Sequence, residues 1–187
     1  ASVDAAVQQA EQWAPIDVLV NNAGWDVFKP FTKTNEGEWQ QLIAINLVGA
    51  LHMHHAVLPK MAERKAGRIV NIASDAARVG SSGEAVYAAC KGGLVALSKT
   101  LAREHARHNI TVNVIAPGPV ATELFMQASP PDAEQTRALL AAVPLQRVSE
   151  PQEIAHAIDF LLHPLAGYMT GQTLHIDGGL TIGASRL

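Results

Sequence analysis

The chain of 187 residues has about the length of one domain. Its 48% of hydrophobic residues and 17% of charged residues support a sizeable core and exclude intrinsic disorder. A net charge of −3 without a basic patch argues against nucleic acid as a partner. No apolar run reaches the length of a membrane span, and no secretory pattern opens the chain. The single cysteine cannot form an internal disulfide. We therefore predict a cytoplasmic protein without a membrane partner.

Short apolar segments rich in β-branched residues alternate along the chain with segments of helical periodicity. The predicted strands are Ile16–Val20, Arg68–Ala73, Thr111–Ala116 and Thr173–Ile176. The predicted helices are Val3–Trp13, Glu36–Glu63, Glu84–Arg107 and Glu153–Leu162. The segment Gln127–Val143, with Ser129, Pro130 and Pro131, is less regular, and is either a mobile lid over a pocket or an ordinary surface loop. The alternation predicts an α/β fold with a parallel sheet covered on both faces.

Small and amide-bearing residues directly follow the first predicted strand. Asn21-Asn22-Ala23-Gly24 stands at the carboxyl end of Ile16–Val20, which in a parallel sheet is the edge where ligands bind. Asparagine and glycine also favour simple turns, so this motif alone is a weak indication.

Ser74, Tyr87 and Lys91 carry the strongest chemical pattern. Ser74 ends the second predicted strand, and Tyr87 and Lys91 stand four residues apart in a helical segment, so their side chains share a face. An ammonium group beside a phenol lowers the pKa of tyrosine from about 10 towards neutrality, which makes it a usable proton donor and acceptor. The alternative is an ordinary Tyr–Lys pair on a solvated helix face, and a serine at a strand end disfavours it.

The third predicted strand runs into a Pro-Gly turn. The segment Asn113–Thr122 contains Pro117, Gly118 and Val120 and ends in a hydroxyl residue. Backbone groups left free by this turn suit an amide-bearing ligand such as nicotinamide, and a plain strand-ending turn is the alternative.

Together these motifs resemble the short-chain dehydrogenase/reductase family over essentially the whole chain. In order they are Asn-Asn-Ala-Gly, Asn46, Ser74, the Tyr-x-x-x-Lys pair, Pro-Gly, and Thr170-Gly171-Gln172 followed by Asp-Gly-Gly. The resemblance implies a Rossmann-like, doubly wound parallel sheet of which about four strands are retained. It also implies an enzyme that transfers hydride between NAD or NADP and a carbinol or ketone.

The resemblance assigns roles to individual residues. Tyr87 is the general acid/base, Ser74 orients the substrate oxygen, and Lys91 binds the nicotinamide ribose and lowers the tyrosine pKa. Asn46 holds a water in a proton relay. The residues expected to contact the cofactor besides Tyr87 and Lys91 are Asn22, Ala23 and Gly24 on the adenosine side and Pro117, Gly118, Val120 and Thr122 along the nicotinamide.

One departure from the family pattern concerns the pyrophosphate site. No strand with a G-x-G-x-x-G turn occurs in residues 1–187. We therefore interpret the chain as a single partial Rossmann domain that lacks the first two βα units, with Ile16–Val20 as an apolar edge. We expect the chain alone to bind cofactor poorly or not at all, which titration of NADH fluorescence would test. A non-catalytic remnant or assembly partner stays open as an alternative to an enzyme, and the choice between NAD and NADP cannot be made from these residues.

Local stretches indicate the substrate and the assembly. They resemble family members that act on a β-hydroxyacyl or β-ketoacyl thioester, so the partner is a small-molecule substrate, and Trp25, Lys29 and Arg78 either contact it or lie on the surface. The family resemblance favours a homodimer or homotetramer. His52, His54 and His55 lack the ligand spacing of a metal site, and we predict that they pack at an interface. We interpret Cys90 as a small buried residue and Asp177 as part of a subunit interface.

Overall fold

The computed structural model of the protein describes residues 2–128 and 133–183, apart from the side chains of residues 124, 128 and 135. Within these ranges one parallel sheet has the strand order β1-β2-β3-β4. The strands are Val18–Asn21 (β1), Gly67–Ile72 (β2), Ile110–Pro117 (β3) and Thr173–Ile176 (β4). The predicted Rossmann-like α/β fold with four strands is thus confirmed.

Helices connect the strands and cover both faces of the sheet. The α-helices are Ser2–Trp13 (α1), Glu36–Ile43 (α2), Gly49–Arg64 (α3), Ala76–Val79 (α4), Ala85–His105 (α5), Glu123–Ala128 (α6), Glu134–Ala142 (α7) and Pro151–Leu162 (α8). α6 and α7 occupy most of the segment predicted to be less regular, while Ser129, Pro130 and Pro131 lie outside the described residues.

The burial of the strands explains why they read as continuous apolar runs. All eight residues of β3 are buried, because helices pack on both of its faces and strands pair with both of its edges. β1 pairs with β2 alone among the described strands. Leu19 of β1 is buried, whereas Val18 and Val20 are 42% and 37% exposed. The expected apolar edge is therefore present at β1.

Two hydrophobic clusters fill the space on the two sides of the sheet. On one side Met61 of α3 packs with Ile69 of β2 and Val112 of β3. On the other side Leu161 of α8 packs with Val70 of β2. Neighbouring residues 69 and 70 point to opposite clusters because side chains alternate along a strand. Because all four strands are paired in parallel, their carboxyl ends lie at one edge of the sheet.

The predicted helix Glu36–Glu63 is one helical run with a break in its hydrogen-bond pattern. A π-turn at Ala44–Val48 separates α2 from α3. Asn35 begins the run with a capping box, in which its side chain accepts from the backbone N–H of Glu38. The run Glu36–Arg64 is long and apolar enough to cross a membrane by length and composition, so our expectation that no such segment exists was wrong. Because its apolar side chains pack on α1 and the sheet, we interpret it as a core helix.

Candidate active site

The π-turn between α2 and α3 presents Asn46 to the loop that follows β1. Asn46 is 2% exposed. Its Nδ2 donates to the carbonyl oxygens of Trp25, at 2.7 Å, and Leu42, at 3.0 Å, and its Oδ1 accepts from the backbone N–H of Trp25 at 3.2 Å. The side chain therefore fixes the loop directly after Gly24. π-turns of this kind are frequent at functional sites, because they redirect a side chain from the regular helical face.

Gly24 lies beside both Asn46 and Lys91. A Cβ atom at this glycine would stand 3.2 Å from Asn46 Oδ1 and 3.4 Å from Lys91 Nζ. The structure thus brings together three of the residues predicted from separate motifs. Asn22 and Ala23, the other two residues of the same motif, are exposed at this edge of the sheet.

Ser74 lies where β2 leads into the short helix α4. Its hydroxyl donates to Asp75 Oδ1 at 3.0 Å and accepts from the backbone N–H of Ala76 at 3.2 Å. The backbone N–H of Asp75 donates to the carbonyl oxygen of Pro117 at 2.9 Å. This bond holds the serine segment against the end of β3, where the Pro-Gly turn begins.

Tyr87 and Lys91 share one face of α5 and turn towards the end of β2, as their spacing predicted. Lys91 Nζ lies 5.4 Å from the centre of the Tyr87 ring. Lys91 is 3% exposed, and its ammonium group donates to the carbonyl oxygen of Ile72 at 2.9 Å. Burial lowers the pKa of Lys91 to about 8. The ammonium has two further N–H donors, which suit a ligand with neighbouring hydroxyl groups.

The pKa of Tyr87 moves opposite to the sequence-based prediction. Burial raises it, the Ser74 hydroxyl opposes this rise, and the carboxylates of Asp26, Glu84 and Asp75 add to it. The predicted lowering by the ammonium group was wrong for this arrangement, because burial disfavours the phenolate and three acidic groups add to that effect. Tyr87 is therefore a neutral phenol at pH 7, ready to donate a proton.

Asp26 and Glu84 form an acidic pair that the motif analysis did not assign to the site. Together with Tyr87 they line a small cleft, whose remaining wall includes the apolar side chains of Phe31 and Leu42. Burial and contact with Asp26 raise the pKa of Glu84 to about 7. Because two carboxylates in contact repel each other, the pair favours retention of one proton near neutral pH. The signal that could have found Glu84 is its position three residues before Tyr87, which is one helical turn.

Two side chains predicted near the mouth of the cleft differ in their surroundings. Lys29 lines the cleft, and its ammonium group pairs with Glu38 Oε1 at 2.5 Å. The backbone N–H of Lys29 donates to the carbonyl oxygen of Gly83 at 2.9 Å, which joins the loop after β1 to the segment before α5. Arg78 is an exposed residue of α4.

The Pro-Gly turn after β3 is tightly packed against the end of β4. A Cβ atom at Gly118 would lie 2.9 Å from the Cα of Asp177, so only glycine permits this approach. Val120 and Thr122, which follow, make their contacts elsewhere. Val120 forms a bridge with Ser149, and Thr122 Oγ1 accepts from the backbone N–H at position 125 at 3.2 Å at the start of α6.

The residues at this edge fit the nicotinamide half of a dinucleotide. Gly24 lies beside the Lys91 ammonium group, where a side chain would crowd both Asn46 and Lys91. The buried ammonium of Lys91, the hydroxyl of Ser74 and the phenol of Tyr87 supply donors suited to ribose hydroxyls and to a carbonyl or carbinol oxygen.

Within the described part of the chain, the side chains of His52, His55 and Cys90 form no hydrogen bond with the residues of this site, and His54 lies beneath it in the core. Among the described residues no group of three or more histidine, cysteine or acidic side chains is placed to hold a metal ion. His54 is buried in the core, while His52 and His55 are exposed on α3. Cys90 is buried, and burial raises the pKa of its thiol.

Comparison with known proteins gives consistent matches. A family model described as enoyl-(acyl carrier protein) reductase matches residues 1–181. The chain is 38% identical over 180 residues to the 3-oxoacyl-(acyl-carrier-protein) reductase of Vibrio cholerae, covering 96% of this chain and 72% of that protein. It is 43% identical over 166 residues to nodulation protein G of Azospirillum brasilense, covering 89% of this chain and 66% of that protein.

A solved structure agrees with the sequence matches. A crystal structure described as a gluconate dehydrogenase from Agrobacterium tumefaciens has a TM-score of 0.91 at 32% identity, over 97% of this chain and 72% of that one. The fold and the site thus define a Rossmann-like oxidoreductase. The chain belongs to the short-chain dehydrogenase/reductase family.

Proposed function

We propose that the protein interconverts a secondary alcohol and a ketone on a β-hydroxyacyl or β-ketoacyl thioester, with NAD or NADP as the hydride carrier. The observation that carries the proposal is the Tyr87 phenol, which lines a cleft at the carboxyl edge of the sheet, close to the buried Lys91 ammonium and influenced by the Ser74 hydroxyl. When bound, the nicotinamide supplies the acceptor or donor of the hydride.

The residues of this chain supply the proton chemistry. In the reductive direction the neutral phenol of Tyr87 donates its proton to the oxygen that forms the new hydroxyl, while Ser74 orients that oxygen. In the oxidative direction Tyr87 takes the proton from the carbinol, which requires the phenolate. The positive charge of Lys91 favours the phenolate, and the acidic groups around Tyr87 disfavour it. We assign Asn46 to the route by which a water replenishes this proton.

Two substrates fit the proposal. The stretches Asn22–Asp26 with Phe28–Phe31, Leu51–His55 and Ser74–Gly80 are similar to 2-hydroxycyclohexanecarboxyl-CoA dehydrogenase, and the apolar lining by Phe31 and Leu42 suits a carbocycle. The second candidate is a 3-oxoacyl-(acyl-carrier-protein) reductase, because several relatives at 38–39% identity carry that name.

The substitution Tyr87→Phe tests the proposed function. In the intact protein we expect at least about a hundredfold loss of kcat, the usual scale for a lost general acid/base, with an unchanged thermal midpoint. Tyr168→Phe is the matched control, since the only other tyrosine is fully exposed. The assay compares cyclic and linear β-hydroxyacyl-CoA, and 3-oxoacyl carrier protein, with each nicotinamide dinucleotide. Full activity of Tyr87→Phe would refute the proposal.

We also propose a homodimer or homotetramer. Ile43 and Leu51 are each 41% exposed on the long helical run, so a second copy could cover an apolar surface there. Light scattering on the eluting protein measures the mass, and a monomer at all concentrations would contradict this proposal.

A further inference from the structure

A chain of buried polar side chains lies on one face of the sheet beside the site, and the proposed mechanism does not use it. Its central residues are His54 of α3, Asn71 of β2 and Ser98 of α5, which are 3%, 0% and 0% exposed. Asn71 Nδ2 lies 2.8 Å from Ser98 Oγ and 3.2 Å from His54 Nε2. Asn21 Nδ2, at the end of β1, donates to Asn71 Oδ1 at 2.7 Å.

The partners at the ends of this chain determine where its hydrogens lie. His54 Nδ1 stands 2.6 Å from the carbonyl oxygen of Ala50, which can only accept, so Nδ1 carries a hydrogen. The Ser98 hydroxyl donates to the carbonyl oxygen of Leu94 at 2.7 Å, so it must accept from Asn71. Asn71 Nδ2 then supplies its second hydrogen to His54 Nε2, which must be a bare acceptor. Every group is satisfied only if His54 is the neutral Nδ1–H tautomer.

We propose that His54 is a positioning residue for the dinucleotide site, whose neutral imidazole fixes the orientation of Asn71 and, through it, of Asn21. The inference rests on the proposed function, because Asn21 immediately precedes the predicted cofactor residues Asn22, Ala23 and Gly24.

Protonation of His54 would turn Nε2 from a hydrogen-bond acceptor into a donor. An N–H at Nε2 would face the NH2 group of Asn71, and two donors cannot bond to each other. If the Asn71 amide rotated to present its oxygen, its NH2 would face the NH2 of Asn21 instead. The unfavourable pair of donors is then at the end of β1. We expect the lost hydrogen bond between Asn21 and Asn71 to weaken the attachment of the segment that follows β1.

The surroundings of His54 favour the neutral state. Burial lowers the pKa of His54, and the Ala50 carbonyl acts in the opposite direction. The elements around it are α1, β1, β2, α5 and the 3-10 turn Ala106–His108. Their titratable and charged groups are Asp4, Glu11, Arg68, Lys91, Lys99, Arg103, Glu104, His105, Arg107 and His108.

Two substitutions of His54 separate its two hydrogen bonds. Glutamine places an amide oxygen where Nε2 stands and keeps the acceptor for Asn71, whereas asparagine keeps a donor for Ala50 and loses that acceptor. In the intact protein we expect His54→Gln to bind NADH or NADPH as the unmodified protein does at about pH 8, and His54→Asn to bind about tenfold more weakly. His52→Gln, an exposed histidine on the same helix, is the control.

The pH dependence distinguishes positioning from mere stability. Between about pH 8 and about pH 5.5 the unmodified protein should lose dinucleotide affinity beyond any loss shown by His54→Gln, because only its own network contains a titrating imidazole. The lowered pKa of His54 limits this extra loss to less than about tenfold. NMR of the ring nitrogens should show the Nδ1–H tautomer at about pH 8.

Three results would overturn the role of His54: an Nε2–H tautomer, equal affinities of the two variants, or parallel pH profiles of His54→Gln and the unmodified protein. Absence of dinucleotide binding by the unmodified intact protein would instead refute the proposed function itself. The two failures are therefore distinguishable.

Discussion

Replacing Glu84 by glutamine is expected to remove a pH-dependent penalty on folding. Burial and contact with Asp26 raise the pKa of Glu84 from an ordinary 4.5 to about 7. A carboxyl group whose pKa is higher in the folded protein than in the unfolded chain destabilises the fold once it ionises. The penalty is absent below about pH 4.5, grows as the pH rises, and is complete above about pH 7.

The size of the penalty follows from this shift. Each pH unit between the unfolded and folded pKa contributes about 1.4 kcal/mol, so an interval of 4.5 to about 7 corresponds to about 3 kcal/mol. Glu84 is only partly buried, and solvent screening reduces the expected effect to about 2 kcal/mol. The free energy of unfolding of Glu84→Gln should therefore match that of the unmodified protein at about pH 4 and exceed it by about 2 kcal/mol at about pH 8.5.

Urea unfolding followed by tryptophan fluorescence measures both values, since the chain has three tryptophans. Glu63→Gln is the control, because Glu63 is an exposed carboxylate on α3. A difference between Glu84→Gln and the unmodified protein that is the same at both pH values would refute the reasoning. So would a variant that is less stable at the higher pH.

Three further substitutions probe packing, the site and a helix start. Met61→Ala should lower the free energy of unfolding by about 3 kcal/mol in urea, because the side chain is fully buried. Gly24→Ala should lower kcat more than the thermal midpoint, measured in parallel, since its methyl group would stand 3.2 Å from Asn46 Oδ1 and 3.4 Å from Lys91 Nζ. Asn35→Ala should cost about 1 kcal/mol in the same urea assay through loss of the capping box. A cost of Met61→Ala below that of Asn35→Ala would contradict the assigned core.

Local patterns were sufficient to predict the elements of the fold. The strand Thr173–Ile176 has the predicted bounds, and β1 is shifted by up to two residues from Ile16–Val20. Strands buried on both faces give apolar runs that differ clearly from the periodicity of helices. The family resemblance implied that Asn46, Ser74, Tyr87 and Lys91 belong to one site, and the structure places Lys91 beside both the Tyr87 ring and Gly24, which Asn46 also adjoins.

What sequence patterns could not predict depends on contacts between distant segments. The π-turn at Ala44–Val48 leaves no sign in a helical periodicity and is evident only from its hydrogen bonds. Asp26 is 61 residues from Tyr87, and its effect on the pKa of Tyr87 exists only once the loop after β1 packs against the start of α5. Burial of the phenol likewise depends on the folded structure, whereas the neighbouring Lys91 alone would favour the opposite direction.

The π-turn also links the position of Asn46 to the direction in which the later side chains of the same helix point. One extra residue in a regular helix rotates everything after it by about 100° around the helix axis, and the wider π-turn absorbs that rotation. If Ala44–Val48 wound as regular α-helix with no residue deleted, His54 and Met61 would turn out of the interior and polar neighbours would turn in. The π-turn that directs Asn46 at the loop after β1 therefore also keeps the second half of the helix in register with the core.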